Sequence, residues 1–297
     1  MEVVAIEQAL RDRPGDLTAW RAYADLLVER GDARGELIHL EQRLERTRPA
    51  DRPALRHEAA ALAAEHQQDW DAALPPGVTV LARRYGFATK VAVEWNDGAP
   101  ALIEQALRER FVTALRITPN GDEEWLDDDD VFDENNDLIP PRAIDAGALA
   151  DLDLGRLVEL DFSYLRLGGP GAEALVAAPA IGRIETLDLR YCGIGDTGAA
   201  ALAASPHFGD LRRLHLQHNG LTADGVRALH RFERLVELDL RYNRIGAEGA
   251  EALLAAPFVG SLTRLLAYRD DVTDAGARRL AAATELPPAL RSLWRSA

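Results

Sequence analysis

Apolar residues recur on one template five times between residues 157 and 280. Each unit has a strand-like Leu-x-x-Leu-x-Leu, then a branched apolar residue, a glycine four residues later and a leucine four residues after the glycine. The five units open at Leu157, Ile184, Leu211, Leu235 and Leu262, so they are spaced 24 or 27 residues apart. Repetition at this period predicts a solenoid whose neighbouring units share one continuous core.

Weaker units flank this regular array. Residues 88–120 show a strand, a helical pattern and a second strand, and we interpret them as degenerate opening repeats. Residues 121–141 interrupt the array as an acidic insertion, and the regular repeats run over 157–280. Leu290 and Leu293 predict one last strand near the end of the chain.

The first 74 residues have a different pattern. Trp20, Tyr23 and Leu27 recur at helical spacing, and similar runs before and after them predict several helices separated by Gly and Pro breaks. We therefore predict two domains, an all-helical capping domain over 1–74 and the repeat array over 75–297.

Two segments resemble known families. The regular repeats resemble the ribonuclease-inhibitor class of leucine-rich repeats, which implies an α/β horseshoe solenoid with a parallel sheet inside and helices outside. The stretch YADLLVERGDARGELIHLEQRL, residues 23–44, resembles the helical repeat-companion domain that precedes leucine-rich repeats in some bacterial protein families. That second resemblance implies kinship, and it brings no biochemical activity with it.

Composition limits the classes of partner and the cellular compartment that we expect for this protein. The net charge of −15 disfavours nucleic acid and anionic lipid as partners. A single cysteine predicts a reducing compartment, which is typical of a cytoplasmic protein. The start of the chain lacks the pattern of a secretory signal, and no apolar run is long enough to predict a membrane span.

Three features have the residue types of a chemical site. Cys192, the only thiol, occupies the template position that holds Asn219 and Asn243 in the next repeats, so we predict that it is buried and structural rather than nucleophilic. His215 and His218 lie three apart on a strand and therefore point to opposite faces, which disfavours a shared metal ion.

The third feature is acidic. Residues 122–137 contain ten carboxylates and no basic residue. The spacing lacks the alternation and the glycine of a calcium loop, so we predict a solvated, mobile segment. Trp125 and Phe132 leave open that it anchors onto a partner or onto the array. We predict no metal, no cofactor and no catalytic residue.

Side chains at template positions 3, 5, 7 and 8 should point away from the leucine core, onto the open face and rim of the sheet. Tyr and Arg are common there, and both are enriched at interface hot spots. A simpler interpretation is that Asp and Arg neutralise each other across strands. The predicted protein-binding residues are Glu159, Asp161, Tyr164, Asp188, Arg190, Tyr191, His215, Gln217, His218, Asp239, Arg241, Tyr242 and Tyr268.

The sequence therefore favours a non-enzymatic module or adaptor that binds a protein partner on the concave face of the repeats. The alternative is a regulatory subunit, activator or inhibitor of a partner enzyme. Neither the partner nor the oligomeric state follows from the sequence.

Overall fold

The computed structural model describes residues 2–119, 148, 151–178 and 180–295. Two compact units divide the chain: Met1–Ala92 with Gln105–Val112, and Val93–Glu104 with Thr113–Ala297. The acidic insertion predicted at 121–141, including the segment 122–137, lies outside the described residues.

The first unit is mainly helical. A side-chain cap begins its second helix, because the carboxylate of Asp16 accepts hydrogen bonds from the backbone N–H groups of Thr18 and Ala19, both at 3.0 Å. The elements are α1 (Glu2–Asp12), α2 (Leu17–Glu29), α3 (Arg34–Arg46), a 3-10 turn (Pro49–Asp51), α4 (Arg52–Asp71), β1 (Val78–Arg84) and β2 (Phe87–Glu94), with the division between the units falling inside β2.

An aromatic core holds this unit together. Trp20 and Tyr23 of α2 pack against Tyr85, Phe87 and Phe111, and all five side chains are buried. Ring centroids of Trp20 and Phe111 lie 5.0 Å apart, and those of Phe87 and Phe111 lie 4.9 Å apart. The compact unit therefore extends beyond the predicted boundary at residue 74, because the helices alone do not supply the rings that complete their core.

The second unit is built from repeated strands and helices. Its strands β3 (Ala114–Thr118), β5 (Glu159–Asp161), β7 (Thr186–Asp188), β8 (Arg213–His215), β9 (Glu237–Asp239) and β10 (Arg264–Leu266) lie side by side in that order, all parallel. A separate parallel pair joins β4 (Asp153–Leu154) to β6 (Ala180–Ile181). The helices are α5 (Ala99–Ala106), α6 (Gly168–Ala177), α7 (Gly195–Ala204), α8 (Ala223–Ala228), α9 (Gly246–Ala255), α10 (Arg269–Ala282) and α11 (Pro288–Arg295).

The leucine template sets the register of the sheet. Leu187 is paired with Leu160 on one side and with Leu214 on the other, and Leu115 of β3 is paired with Leu160. Leu115 therefore lies in the same register as the leucines at the fourth template position of the regular repeats. Side chains at the first and fourth template positions are buried, and so are those at the sixth position of the first four repeats, including Leu189. They form the core, whereas Ala267, at the sixth position of the fifth repeat, is half-buried.

Close packing explains the glycine column. A Cβ atom added to Gly249 would lie 2.5 Å from Cβ of Ile245, and one added to Gly198 would lie 2.7 Å from Cβ of Ile194. These contacts are shorter than any ordinary carbon–carbon contact, so the first turns of α7 and α9 have no room for a side chain there.

The predicted last strand is wrong. Pro288–Arg295 forms helix α11, whose first position is a proline that suits a helix start. Leu290 and Trp294, four residues apart, are buried on one side of the helix, whereas Leu293 is 59% exposed. The apolar spacing therefore belongs to a helix, and the two leucines do not share a face.

Candidate functional site

Buried amide side chains hold the turns that follow the strands. Oδ1 of Asn243 accepts hydrogen bonds from the backbone N–H groups of Asn219 and Leu221, both at 3.0 Å. Its Nδ2 donates to the carbonyl oxygens of Leu216 and Leu240 at 2.8 and 2.9 Å. One side chain thus joins two neighbouring repeats and fixes the direction in which the chain leaves each strand.

Cys192 takes the same template position one repeat before Asn219. Its thiol is fully buried, and Sγ lies 3.0 Å from the carbonyl oxygen of Phe162, to which it donates. Burial raises the pKa of the Cys192 thiol to about 12. The predicted burial is confirmed, and a thiol with this pKa stays protonated at neutral pH.

Aromatic residues occupy a strained backbone position just after the strands. Tyr164, Tyr191, His218 and Tyr242 have φ angles of 70°, 56°, 54° and 58°, in the left-handed region that favours Gly or Asn. Backbone hydrogen bonds between repeats hold them there: Tyr191 donates to Gln217 O at 2.9 Å, and His218 donates to Arg241 O at 2.9 Å. Such strain costs on the order of 1–3 kcal/mol for each residue and is concentrated at functional sites.

The rings of these residues and of Tyr268 contact one another in one row, which we call the aromatic row. It consists of Tyr164, Tyr191, His218, Tyr242 and Tyr268. Successive ring centroids lie 4.8, 4.8, 6.4 and 5.0 Å apart, so the row crosses all five regular repeats. Tyr164, Tyr242 and Tyr268 are 38%, 53% and 43% exposed, which makes them three of the eight large apolar side chains that are exposed among the described residues.

Polar contacts fix the tyrosine hydroxyls. Nε2 of Gln217 donates to Oη of Tyr191 at 3.1 Å, and Nη2 of Arg241 lies 3.4 Å from Oε1 of the same glutamine. Hydrogen bonding to Tyr268 raises the pKa of the Tyr242 hydroxyl. The guanidinium of Arg241 also lies 6.0 Å from the centre of the Tyr268 ring, within the range of a cation–π contact.

The acidic column beside the row is buried. Asp161, Asp188 and Asp239 are 5%, 7% and 2% exposed. The carboxylate of Asp239 accepts hydrogen bonds from the backbone N–H and from Nε and Nη2 of Arg241, at 3.1, 2.9 and 2.6 Å. Asp188 holds Arg190 in the same way. For Asp188 and Asp239, neutralisation therefore runs along the strand, between residues two apart, and it aims the arginine side chains past the end of the strand. Asp161 instead lies 3.7 Å from Nε of Arg116 on the neighbouring strand β3.

His215 lies between two carboxylates on the strands to either side. Its Nδ1 is 3.3 Å from Oδ2 of Asp188, and its Nε2 is 3.3 Å from Oε1 of Glu237. Arg264 completes the set, with Nη1 donating to Oε1 of Glu237 at 2.8 Å. This arrangement places His215 at the centre of a polar network on the open face of the sheet.

The network shifts the pKa values of His215 and Asp188 in opposite directions. The hydrogen bond to Asp188, together with the charges of Asp188 and Glu237, raises the pKa of His215, although burial opposes the shift. Burial alone would raise the pKa of Asp188, but hydrogen bonds from His215 and Arg190 outweigh it and hold that pKa at about 2. The contact between His215 and Asp188 therefore favours the charged form of both side chains.

The predicted binding residues fall into three groups. The exposed ones are Tyr164, Tyr242 and Tyr268. The half-buried ones are Glu159, Arg190, Tyr191, His215, Gln217, His218 and Arg241. The buried ones are Asp161, Asp188 and Asp239.

Sequence reasoning missed two features of this surface. Tyr268 belongs to the aromatic row although it stands one template position earlier than the other members, because α10 begins at Arg269 and shortens the turn. Asp271 accepts from the backbone N–H of Asn243 at 3.2 Å and so continues the buried amide column, one position later than the template. In the sequence, the only sign of either feature is a displacement by one residue in the fifth repeat, one position earlier for Tyr268 and one position later for Asp271.

His215 and His218 contact different groups. His215 contacts two carboxylates, whereas His218 belongs to the aromatic row. Within the described residues, no group of His, Cys, Asp and Glu side chains is arranged to hold a metal ion.

Among the helices that the structure describes, none has both the length and the apolar character needed to cross a membrane.

A family model described as Leucine Rich repeat matches residues 184–203, 210–229 and 235–254. Each matched segment contains one strand of the sheet and most or all of the helix that follows it. The chain therefore contains leucine-rich repeats, in an α/β repeat fold with a mostly parallel sheet and a helical N-terminal region. Repeats of this family generally mediate protein–protein interaction. No curated protein matches the chain.

Proposed function

We propose that this protein is a non-enzymatic interaction module that binds a protein partner along the aromatic row and the polar side chains beside it. In this proposal the repeats form a horseshoe whose concave side is the open face of the sheet. The module works in a reducing compartment such as the cytoplasm, in keeping with its single, buried cysteine.

The observation that supports this most strongly is the position of the tyrosines. A left-handed backbone position suits Asn or Gly, yet Tyr164, Tyr191 and Tyr242 occupy it and display their rings at the strand ends. Folding alone does not explain that choice, because the rings add little to the leucine core. Tyr buries a large area while keeping a hydrogen-bonding hydroxyl, which is why it is enriched at interface hot spots.

The polar network prepares the same surface for binding. Arg190 and Arg241 are held by buried aspartates, so their guanidinium groups lose little further freedom when a partner binds. Their fixed charge and the hydroxyls of the aromatic row supply donors that select a partner, while the rings supply buried area.

Comparative capture from native lysate tests the proposal. Three baits are used: the wild type, a Tyr191→Asn/Tyr242→Asn variant and an Arg227→Ala/Glu251→Ala control on helices α8 and α9. Asn removes the ring but suits the left-handed backbone, so the first variant should fold normally. We expect at least one protein that the wild type and the helical control retain and the tyrosine variant loses. The same captured set for all three baits would contradict the proposal.

A further inference from the structure

His215 lies on the open face of the sheet, between two carboxylates that belong to different repeats. Its Nδ1 is 3.3 Å from Oδ2 of Asp188, and its Nε2 is 3.3 Å from Oε1 of Glu237. The three side chains are 22%, 10% and 16% exposed, so water screens these contacts only weakly. We call His215, Asp188 and Glu237 the histidine bridge.

The number of ring protons decides whether both contacts are favourable. A neutral imidazole has one N–H donor and one lone pair, whereas an imidazolium has two donors. In the neutral ring, one nitrogen would direct its lone pair at a carboxylate oxygen 3.3 Å away, which is repulsive. Both contacts of the bridge therefore suit the charged ring, and only one of them suits the neutral ring.

Other charged groups on this face have partners of their own. Asp239 is in register with His215, but its carboxylate accepts hydrogen bonds from Arg241. On β8 itself, Nε of Arg213 donates to Oγ1 of Thr186 at 3.0 Å. The charged residues beside His215 on β8 and on the two neighbouring strands and their ends are Arg213, Asp188, Arg190, Glu237, Asp239 and Arg241.

The two carboxylates of the bridge differ in what else holds them. Asp188 also accepts from the backbone N–H and from Nε of Arg190, at 3.1 and 2.8 Å. Glu237 accepts from Nη1 of Arg264 at 2.8 Å, and the side chain of Arg264 is 59% exposed. Loss of one ring proton should therefore break the contact with Glu237 and keep the contact with Asp188.

We infer that the histidine bridge is a proton-operated switch on the open face of the sheet. With two ring protons, His215 connects β7 to β9 through both carboxylates. With one, it keeps Asp188 and releases Glu237, which turns towards Arg264 and solvent. The open face then has one positive charge fewer and a carboxylate that is free to move.

Crystal structures of the full chain at about pH 6 and about pH 9, on either side of the neutral range in which histidine titrates, test the switch directly. Nε2 of His215 should lie within hydrogen-bonding distance of Oε1 of Glu237 at the lower pH and more than about 4 Å from it at the higher pH. Nδ1 should remain beside Asp188 in both. A Glu237 side chain in the same position at both pH values would overturn the inference.

NMR titration of the histidine ring nitrogens measures the protons themselves. The signals of His215 are those missing from the spectrum of His215→Gln. The midpoint of their titration should be lower in Glu237→Gln than in the wild type, because one of the two carboxylates that favour the charged ring has been removed. Glu173→Gln, which removes an exposed carboxylate on α6, should leave the midpoint unchanged. An equal midpoint in Glu237→Gln and the wild type would also overturn the inference.

The switch has a consequence for binding, and this consequence rests on the proposed function. Gln217 follows His215 by two residues on the same face and donates to Tyr191 of the aromatic row. A mobile carboxylate beside them leaves a less ordered surface, so binding at the higher pH costs more. Proteins that the Tyr191→Asn/Tyr242→Asn bait loses should be recovered about fivefold less by the wild type at pH 8.5 than at pH 6.5, with a smaller change for His215→Gln.

The outcomes of the capture experiment separate the two proposals. Equal pH dependence of recovery with the wild-type and His215→Gln baits would overturn the link between the switch and binding. A tyrosine bait that loses no protein would contradict the proposed function alone, because the crystal structures and the NMR titration involve no partner.

Discussion

Tyr164 and Tyr242 of the aromatic row combine an unfavourable backbone conformation with an exposed ring, and Tyr191 combines the same conformation with a half-buried ring. Tyr191 and Tyr242 have φ angles of 56° and 58° in a region that non-glycine residues seldom adopt. Stacking within the row returns about 0.5–1.5 kcal/mol for each ring pair, a magnitude similar to the strain. The two contributions nearly cancel, so these rings affect stability little and remain available for a partner.

At Cys192 the environment determines reactivity. The thiol is buried, and its pKa is raised to about 12, so almost none of it is thiolate at neutral pH. We expect a thiol reagent to leave the native protein unlabelled at neutral pH and to label Cys192 rapidly once the protein is unfolded in denaturant. Mass spectrometry follows both reactions, and rapid labelling of the native protein would contradict the assigned burial.

His215 should make stability depend on pH. Its pKa in the folded state is raised above the ordinary value of 6.5, so its stabilising contribution is complete below about pH 6.5 and is lost as the pH rises through the folded-state pKa. The free energy of unfolding should therefore fall more steeply with rising pH in the wild type than in His215→Gln. Denaturant unfolding between about pH 6 and 9 measures both curves.

The matched control for that experiment is His57→Gln, which removes an exposed histidine on α4. Its curve should run parallel to that of the wild type. If the His215→Gln curve were also parallel, the ion pair of His215 with Asp188 would not form in solution.

At the scale of the repeat, buried amide groups connect each unit to the next. Asn243 alone satisfies two backbone donors and two backbone carbonyls of neighbouring repeats. Asn243→Ala should lower the free energy of unfolding by about 3 kcal/mol, because it leaves several buried polar groups without partners. Arg244→Ala changes the exposed neighbouring side chain and should cost less than about 0.5 kcal/mol. Urea unfolding compares the two, and equal costs would show that the amide does not join the repeats.

The repeated elements could be predicted because three columns of residues stay in register. Strands β7, β8 and β9 and their helices lie where the leucine and glycine columns place them. Strand β1 could not be predicted from the sequence, because its residues Val78–Arg84 are only partly buried and show no clean alternation of buried and exposed positions. The last helix was missed for a related reason, since a short apolar run such as Leu290 to Trp294 fits either a strand or a helix.

The candidate site was predictable only in part. The tyrosine column was visible in the sequence, but the burial of Asp161, Asp188 and Asp239 was not, because alternation alone places them on the open face. For Asp188 and Asp239 the side chains two residues later, Arg190 and Arg241, fold back over the carboxylates.

At the scale of the whole molecule, repetition converts distant residues into neighbours. Tyr191, Gln217 and Arg241 are 24 or more residues apart in sequence, yet they form one connected set of contacts. A partner that binds along this set would meet a continuous surface of rings and fixed charges. The central claim is therefore that binding energy is concentrated in a line across the repeats.

Isothermal titration of the captured partner against single variants tests this claim most directly. Tyr191→Asn and Tyr242→Asn should each weaken binding by about 1–3 kcal/mol, the usual cost of removing a hot-spot side chain, while the melting temperature changes little. Arg227→Ala and Glu251→Ala, on α8 and α9, should bind like the wild type. Full affinity in both tyrosine variants, with a loss confined to the helical variants, would place the binding surface on the helices and contradict the account.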